Sequence, residues 1–242
     1  MATPPKKAFV LAAGLGERMR PLTNNCPKPL LVVDGKTILD HALDALVEAG
    51  VEEVVVNTHY LPHMVTDHLK NRKHPHITIS PERELLDSGG GVKKMLNFFG
   101  DEPFYVLNAD VLWTGGKEPA LKALANKWDP AKMDLLLLLH PSANVPDHAG
   151  KGDYYLADGS DQPILGRHTD KKPNYMFAGP RIVHPRLFEG SPDGKFSFLD
   201  LFIKAEKAGR LYAVRHDGEW YHVGTPEAFE ETNRILAKRR AG

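Results

Sequence analysis

The sequence predicts an α/β fold: a mainly parallel sheet with helices on both faces. Short apolar runs alternate with segments whose apolar residues recur at helical spacing through the first 140 residues. At 242 residues, the chain is long enough for one α/β domain with a large core. A glycine-containing loop also follows the first apolar run directly. Ligands of such sheets bind at the carboxyl ends of strands, so this loop is the first candidate for a binding site.

The predicted elements alternate regularly as far as His140. The predicted strands cover Lys7 to Ala12, Val54 to Val56, His76 to Ile79, Phe104 to Leu107 and Met133 to His140. The predicted helices cover Ile38 to Ala49, Leu61 to Leu69, a segment from near Val92 to Gly100, and Ala120 to Trp128. In the first of these helices, Ile38, Leu39, Ala42, Leu43, Leu46 and Val47 share one predicted apolar face.

The regular alternation of predicted strands and helices ends after Pro141. Residues 142–173 are rich in Gly, Pro and Asp and predict loops and short antiparallel strands, one of them at Tyr154 to Leu156. A helix at Leu199 to Ala208, a strand at Leu211 to Arg215 and a helix at Pro226 to Lys238 follow, the last capped by Thr225. Since no linker separates these parts, residues 1–242 are expected to form one domain.

Composition narrows the class of protein. The 31 basic and 31 acidic side chains give no net charge, which argues against a nucleic-acid or membrane-surface binder. The longest purely apolar run, Leu135 to Leu139, is too short to span a bilayer, and no signal-peptide core is evident. The single cysteine, Cys26, forms no intrachain disulfide or cysteine-based zinc site. We therefore expect a cytoplasmic protein whose partners are small molecules.

The loop LAAGLGERMRPLTNNCPKP, residues 11–29, has features of a polyphosphate site. It lacks the G-x-G-x-x-G dinucleotide fingerprint and the G-K-[ST] of a Walker loop. It does offer backbone N–H groups near Gly14 and Gly16, together with Arg18 and Lys28. Pro27 and Pro29 are expected to hold Lys28 in a stiff, extended segment. Two fixed cations beside free N–H groups suit a chain of phosphates.

This loop resembles the signature G-x-G-x-R-[ML]-x-P-L-T-x(n)-P-K-P of the sugar-1-phosphate nucleotidyltransferases. The stretches SPERELLDSGGG and FYVLNAD extend the resemblance, which is strongest to the branch acting on N-acetylmuramate 1-phosphate in peptidoglycan recycling. It implies a Rossmann-like (GT-A-like) three-layer sandwich with a mostly parallel mixed sheet. It also implies a nucleotide-binding half at about 1–140, a sugar-binding half at about 141–225 and a C-terminal helix at 226–242.

The implied reaction joins UTP and a sugar 1-phosphate into a UDP-sugar and pyrophosphate. Arg18 would stabilise charge on the leaving pyrophosphate, and Lys28 would bridge the α-phosphate and the incoming phosphate. The resemblance implies the nucleotide-binding residues Leu11, Ala12, Ala13, Gly14, Gly16, Arg18, Lys28, Glu82 and Gly90. Glu82 only accepts hydrogen bonds, so as the base-reading residue it permits U, T or G and disfavours C and A. The glycines from Gly89 to Gly91 would let the backbone approach the base before the next helix.

The resemblance implies a metal site at Asp110, with Mg²⁺ as cofactor and Mn²⁺ as an alternative. Asp110 follows a strand, where a carboxylate is well placed to hold a metal that bridges phosphates. In the family motif W-x-D-x-G-T the second ligand is an aspartate, but here His222 takes its place. Imidazole suits Mn²⁺ better than Mg²⁺. His222 is expected in the metal shell, as a direct ligand, as a partner of metal-bound water or as a phosphate contact.

The sequence gives less evidence for the residues that bind the sugar. The resemblance implies substrate contacts by Asn108, Asp153 and Gly179. The segment Lys171 to Pro173 matches the family's E-K-P lysine motif only in part. A muramate carboxylate would need a cation, for which the candidates are Arg167, His168 and Lys171, although the pattern favours a solvated charge run for each of them.

Two alternatives remain open at this point. The first keeps the chemistry and changes the substrates, as in mannose-1-phosphate guanylyltransferases or glucose-1-phosphate thymidylyltransferases. The second is a non-catalytic nucleotide-sugar sensor, which the histidine at position 222 favours. Retention of Arg18, Lys28 and Asp110 favours an enzyme.

Overall fold

The structure of this protein, a computed structural model, describes residues 3–145 and 152–241. The strands in this part of the chain are β1 (Lys7–Leu11), β2 (Val32–Val33), β3 (Lys36–Thr37), β4 (Glu53–Thr58), β5 (His76–Pro81), β6 (Phe104–Asn108), β7 (Val111–Thr114), β8 (Leu135–Pro141), β9 (Tyr154–Tyr155), β10 (Ile164–Leu165), β11 (Tyr175–Val183), β12 (Leu211–Arg215) and β13 (Glu219–His222). The helices are α1 (Ile38–Glu48), α2 (Pro62–Leu69), α3 (Asp87–Lys94), α4 (Leu96–Phe99), α5 (Ala120–Lys127), α6 (Phe198–Lys207) and α7 (Pro226–Ala241).

The central sheet is mixed and mostly parallel, as predicted. Its strands lie in the order β5, β4, β1, β6, β11, β8 and β12, and the short β9 and β10 extend it beside β11. β11 runs antiparallel to β6 and β8, while β8 and β12 are parallel to each other. Consequently the other long strands share one direction, and their carboxyl ends meet at one edge of the sheet.

Apolar side chains alternate between two cores, one on each face of the sheet. On β1, Val10 faces a core with α1, α2 and α5, whereas Phe9 faces a core with α3, α4 and α6. Because both faces are covered, the strands read as nearly continuous apolar runs. The buried face of α1 matches the predicted one except at Val47, which is 41% exposed.

The prediction for α3 was wrong, and β11 and the β7–β13 pair were not predicted. The helix expected to begin near Val92 begins at Asp87, so Gly89 to Gly91 lie inside it, and it ends before Met95, where α4 follows. The nine-residue strand β11 was largely missed, since Gly179 interrupts it at an irregularity between Phe177 and Arg181. The antiparallel pair β7 and β13, which forms a separate small sheet, was also missed.

The C-terminal helix α7 begins where it was predicted to begin. The Thr225 hydroxyl accepts a hydrogen bond from the Ala228 N–H, 3.3 Å away, and Pro226 takes the first helical position. Asn233 of α7 accepts from the N–H of Asp34, between β2 and β3, which fastens α7 to that hairpin. Across 3–145 and 152–241, no helix combines the length and the apolar character needed to cross a membrane.

Candidate active site

A cavity of about 650 Å³ lies at the carboxyl ends of β1 and β6. Predicted site residues that line it are Leu11, Ala12, Ala13, Gly14, Gly16, Arg18, Lys28, Glu82, Asn108 and Asp110. Residues that the sequence did not single out also line it, among them Asn57, Leu85, Asp87, Ser88, Lys195 and Gly224. Positions from the loop after β1, from β4 and from the end of β6 thus meet on one cavity wall.

The loop after β1 needs glycine at position 16. Gly16 has φ +65°, and a Cβ there would lie 3.0 Å from Thr23 Cγ2 and 3.3 Å from Lys28 Cβ. The Thr23 hydroxyl donates to the Gly16 carbonyl over 2.8 Å, which closes the loop on itself. The close approach of Gly16 to Lys28 therefore brings backbone N–H groups and an ammonium to the same part of the cavity.

Asn57 connects this loop to Glu82. Its Oδ1 accepts from the Ala12 N–H over 2.7 Å, and its Nδ2 donates to Glu82 Oε1 over 2.7 Å. The other carboxylate oxygen of Glu82 accepts from the Leu86 N–H over 3.0 Å. Glu82 is only 6% exposed, so its carboxylate is shielded from bulk water and fixed by these two donors. Asn57 belongs to no motif in the sequence, because it lies within the strand β4.

Lys28 and Asp110 form the one ion pair on the cavity wall recorded among the described residues. Lys28 Nζ lies 3.2 Å from Asp110 Oδ2, and the two side chains are 12% and 29% exposed. The prediction of an extended segment at Lys28 was wrong, since Lys28 begins a 3₁₀ turn that ends at Leu30. Pro27 is extended and caps that turn, so the prolines still restrict the backbone on both sides of Lys28.

His222 lies beside this pair but faces a different cavity. It ends β13, opposite Val111 of β7, and its ring stacks on Trp220 with centroids 5.9 Å apart. Burial lowers the pKa of His222, and the charges of Lys28 and Arg18 lower it further, while Asp110 and Asp153 oppose them. The imidazole is therefore neutral at pH 7, in the form that can bind a metal ion. It lines a neighbouring cavity of about 370 Å³.

The ring of His222 lies close to the backbone of Gly224, which has no side chain to displace it. A Cβ at Gly224 would lie 2.7 Å from the Cε1 atom of His222. The backbone also connects this strand to the metal candidate, because the Val223 N–H donates to the Asp110 carbonyl over 3.0 Å. The turn that carries Asp110, between β6 and β7, is thus fixed to the end of β13, which carries His222.

The predicted sugar residues Asp153 and Gly179 lie beyond the main cavity wall. Burial raises the pKa of Asp153, whose Oδ2 accepts from the Phe177 N–H over 2.8 Å. Gly179 has φ +103°, and a Cβ there would lie 2.6 Å from Val111 Cγ2. Among the three sugar candidates, only Asn108 reaches the main cavity in the described part of the chain.

Two of the three consecutive glycines, Gly89 and Gly90, pack against residues 194–196, whereas a Cβ at Gly91 would lie 2.7 Å from Glu82 Oε1. The N–H groups of Gly89 and Gly90 both donate to the Phe196 carbonyl. A Cβ at Gly90 would lie 2.0 Å from the Gly194 carbonyl oxygen. Residues 194–196 thus lie against Gly90, which does not line the main cavity, and its contact with a base stays a prediction. This packing brings Lys195 to the cavity.

The cations proposed for a sugar carboxylate lie elsewhere. His168 Nδ1 is 2.9 Å from Glu206 Oε1, and neither Arg167 nor Lys171 lines the main cavity.

Lys195, which does line the cavity, belongs to no motif in the sequence, since its position depends on how its loop packs against α3.

Among the residues that the structure describes, no group of three or more His, Cys, Asp and Glu side chains is placed to hold a metal ion. A metal at Asp110 and His222 would therefore take its remaining ligands from the substrate or from water. One carboxylate and one neutral imidazole are a donor set that fits Mn²⁺ and, less well, Mg²⁺.

Comparison with known proteins agrees with this geometry. The model of the nucleotidyl transferase family matches residues 7–146. The N-acetylmuramate alpha-1-phosphate uridylyltransferase of Caulobacter vibrioides is 40% identical over 233 residues, which cover 94% of this chain and 96% of that protein. The protein of the same name from Neisseria meningitidis is 34% identical and covers 95% of this chain and 97% of its own.

The fold has solved counterparts as well. A UDP-glucose pyrophosphorylase crystallised with UDP-glucose superposes with a TM-score of 0.79 at 21% identity, over 98% of this chain and 100% of that one. At this identity the likeness concerns the fold, and it confirms the predicted Rossmann-like α/β architecture. The family match and the identity to curated relatives go further, and on their strength the chain belongs to the nucleotidyl transferase family.

Proposed function

We propose that this protein transfers a uridylyl group from UTP to N-acetylmuramate 1-phosphate, giving the UDP-sugar and pyrophosphate. The observation that carries the reaction class is the Lys28–Asp110 pair beside a glycine loop in a cavity large enough for a nucleotide. The choice of UTP and of the muramate substrate rests on the relatives in Caulobacter vibrioides and Neisseria meningitidis.

In this mechanism, a phosphate oxygen of the sugar 1-phosphate attacks the α-phosphorus of UTP. The bond from the α-phosphorus to the bridging oxygen breaks, and pyrophosphate leaves. The protein contributes positioning and charge stabilisation, since phosphoryl transfer needs little covalent help. Lys28 would neutralise the α-phosphate and the incoming phosphate. Arg18, on the same wall, would stabilise the charge that accumulates on pyrophosphate.

Asp110 would hold the divalent metal, with His222 as a ligand or as a partner of its water. When bound, Mg²⁺ or Mn²⁺ would neutralise phosphate charge and orient the phosphates for displacement. Lys28 Nζ lies 3.2 Å from Oδ2 of Asp110, so its ammonium and the metal would share the negative charge of this carboxylate.

Glu82 would read the base. Asn57 and the Leu86 N–H fix its carboxylate at the cavity wall, where it can accept a hydrogen bond from N3–H of uracil. The division expected from the sequence belongs to the same proposal. Residues of about 1–140 would form the nucleotide-binding half, those of about 141–225 the sugar-binding half, and those of 226–242 the C-terminal helix. A role in peptidoglycan recycling, and hence in the cytoplasm, goes with these substrates.

Pyrophosphate release tests this proposal. UTP, dTTP and GTP are each combined with the 1-phosphates of N-acetylmuramate, N-acetylglucosamine, glucose and mannose, first with Mg²⁺ and then with Mn²⁺. We expect release with UTP and N-acetylmuramate 1-phosphate. Release with another pair alone would overturn the substrate assignment, and tight nucleotide binding without release from any pair would favour the sensor.

A further inference from the structure

A buried arginine lies directly beneath the cavity wall. Arg181 of β11 is 1% exposed, and its Nη1 donates to Asn108 Oδ1 and to the Gly179 carbonyl, each over 2.9 Å. Its guanidinium carbon lies 4.3 Å from the ring centroid of Phe198 and 5.4 Å from that of Phe177. Arg181 therefore sits between a cavity residue and an aromatic layer.

This arginine is unusual because no carboxylate pairs with it among residues 3–145 and 152–241. Its Nε also has no hydrogen-bond partner in that part of the chain. Burial lowers the pKa of the guanidinium to about 9, and the charge of Asp110 opposes this effect, so Arg181 is still charged at neutral pH. A desolvated cation without a counter-ion destabilises a fold, and an apolar side chain would fill the same space at lower cost.

The hydrogen bond to Asn108 determines which way its amide points. A guanidinium has donors only, so the atom facing Arg181 must be the Asn108 oxygen. The Asn108 Nδ2 group is then directed away from Arg181, and Asn108 lines the main cavity. The amide is thereby fixed as a hydrogen-bond donor, two positions before Asp110.

We propose that Arg181 is a positioning residue that fixes Asn108 as a donor to an oxygen of the sugar 1-phosphate. This inference rests on the proposed function and adds a specificity determinant to it. The charge-assisted bond to Asn108 is shielded from water by aromatic rings, so it holds the amide more firmly than a neutral partner would. The irregularity of β11 at Gly179 gives Arg181 its second acceptor and its place beside Asn108.

Steady-state kinetics of pyrophosphate release test the role of Arg181. Arg181→Met keeps an unbranched apolar stem and removes the donors of the guanidinium. We expect the KM for the sugar 1-phosphate to rise about tenfold or more, the KM for UTP to stay within about twofold, and Arg181→Lys to restore most of the loss. In an Asn108→Ala background, Arg181→Met should change the sugar KM little further, because both changes remove the same contact.

A merely structural role predicts a different pattern. It would lower the fraction of folded enzyme, and hence the apparent kcat, without changing either KM. The matched control is Arg186→Met, since Arg186, like Arg181, donates to carbonyl oxygens, although it also pairs with a carboxylate and lies away from the cavity. It should lower thermal stability and leave both KM values unchanged. Equal increases in the two KM values for Arg181→Met, or multiplying effects in the double variant, would overturn the proposal.

A second measurement does not depend on turnover or on the folding of the Arg181 variants. The side-chain amide of Asn108 is assigned in ¹H–¹⁵N spectra by its disappearance in Asn108→Asp, which keeps an acceptor for Arg181 and removes the donor. In the wild type with α,β-imido-UTP, adding N-acetylmuramate 1-phosphate should shift this resonance. If none of the four sugar 1-phosphates shifts it, Asn108 is not a sugar contact, whether or not the wild type releases pyrophosphate. Absence of release together with a shift would instead count against the proposed function alone.

Discussion

The ammonium nitrogen of Lys28 lies 3.2 Å from Oδ2 of Asp110, although the two residues are 82 positions apart in the chain. The two come from a loop after β1 and from the end of β6, strands that are direct neighbours in the sheet. Both side chains are mostly shielded from water, so the electrostatic interaction is stronger than that of a surface pair. A phosphate placed between them and the glycine loop would meet a cation and a metal-binding carboxylate at once.

Lys28→Met should therefore lower kcat by about 10²–10³-fold, the range typical of a lost charge-stabilising group. Affinity for UTP, measured by titration calorimetry, should fall much less, because the missing charge acts mainly in the transition state. Lys36→Met is the control, since Lys36 forms an exposed pair with Asp44 over 2.7 Å. Equal losses of kcat and of UTP affinity in Lys28→Met would assign Lys28 to ground-state binding.

Local motifs and three-dimensional contacts account for what the sequence could and could not predict. The loop of residues 11–29 was found because glycines, prolines and cations lie close together in one stretch. Asn57 has no such signal, since its contacts with Ala12 and Glu82 exist only once β1, β4 and the loop after β5 are assembled. Arg181 was hidden for the same reason.

Two errors have a simple physical cause. Three successive glycines have a poor intrinsic preference for helix, which placed the start of α3 too late. In the structure they are helical, and glycine is required at positions 89 and 90 because a side chain there would collide with residues 194–196. Similarly, glycine and proline at 179 and 180 interrupt the strand pattern of β11, although the sheet continues through them.

Glu82→Gln should alter base selection. Glutamine keeps the shape of Glu82 but offers an amide, which can donate to N3 of cytosine. We expect the preference for UTP over CTP, expressed as the ratio of kcat/KM values, to narrow by about tenfold or more, which corresponds to roughly 1.4 kcal/mol. Glu84→Gln is the control on the same loop, since Glu84 is exposed. If Glu82→Gln lowered activity with UTP and left the CTP ratio intact, Glu82 would support the loop without reading the base.

Asp134 should make stability depend on pH in the acid range. Burial raises the pKa of Asp134, but hydrogen bonds and charges from Arg186 and Arg210 outweigh it, so the pKa lies below its usual value. A carboxylate with a depressed folded pKa stabilises the fold above its unfolded pKa of about 3.9, and this contribution is lost as pH falls through the folded value. Asp134→Asn should therefore cost about 2 kcal/mol at pH 7 and progressively less below about pH 4.

Urea unfolding of the wild type and of Asp134→Asn between pH 3 and pH 7, on the order of one point per half unit, measures this difference. Asp67→Asn is the control, because the Asp67–Lys70 pair is highly exposed and should contribute little at any pH. A constant difference between Asp134→Asn and the wild type across the range would show that the loss is steric and that ionisation of Asp134 is not involved.

His222→Asp restores the carboxylate that related motifs carry at this position, and it should change the metal requirement. Wild-type activity should be relatively higher with Mn²⁺, since a neutral imidazole is a poor partner for Mg²⁺. An aspartate is smaller than the ring that now packs against Gly224, so it fits without displacing the backbone. We expect the Mg²⁺ concentration for half-maximal pyrophosphate release to fall about tenfold in His222→Asp, and the preference for Mn²⁺ to disappear.

The control is His63→Asp, which makes the same change of charge at an exposed position away from the cavity and should leave the metal titration unaltered. An ordinary Mg²⁺ affinity in the wild type, with no gain in His222→Asp, would remove His222 from the metal shell and leave Asp110 as the sole protein ligand in this proposal.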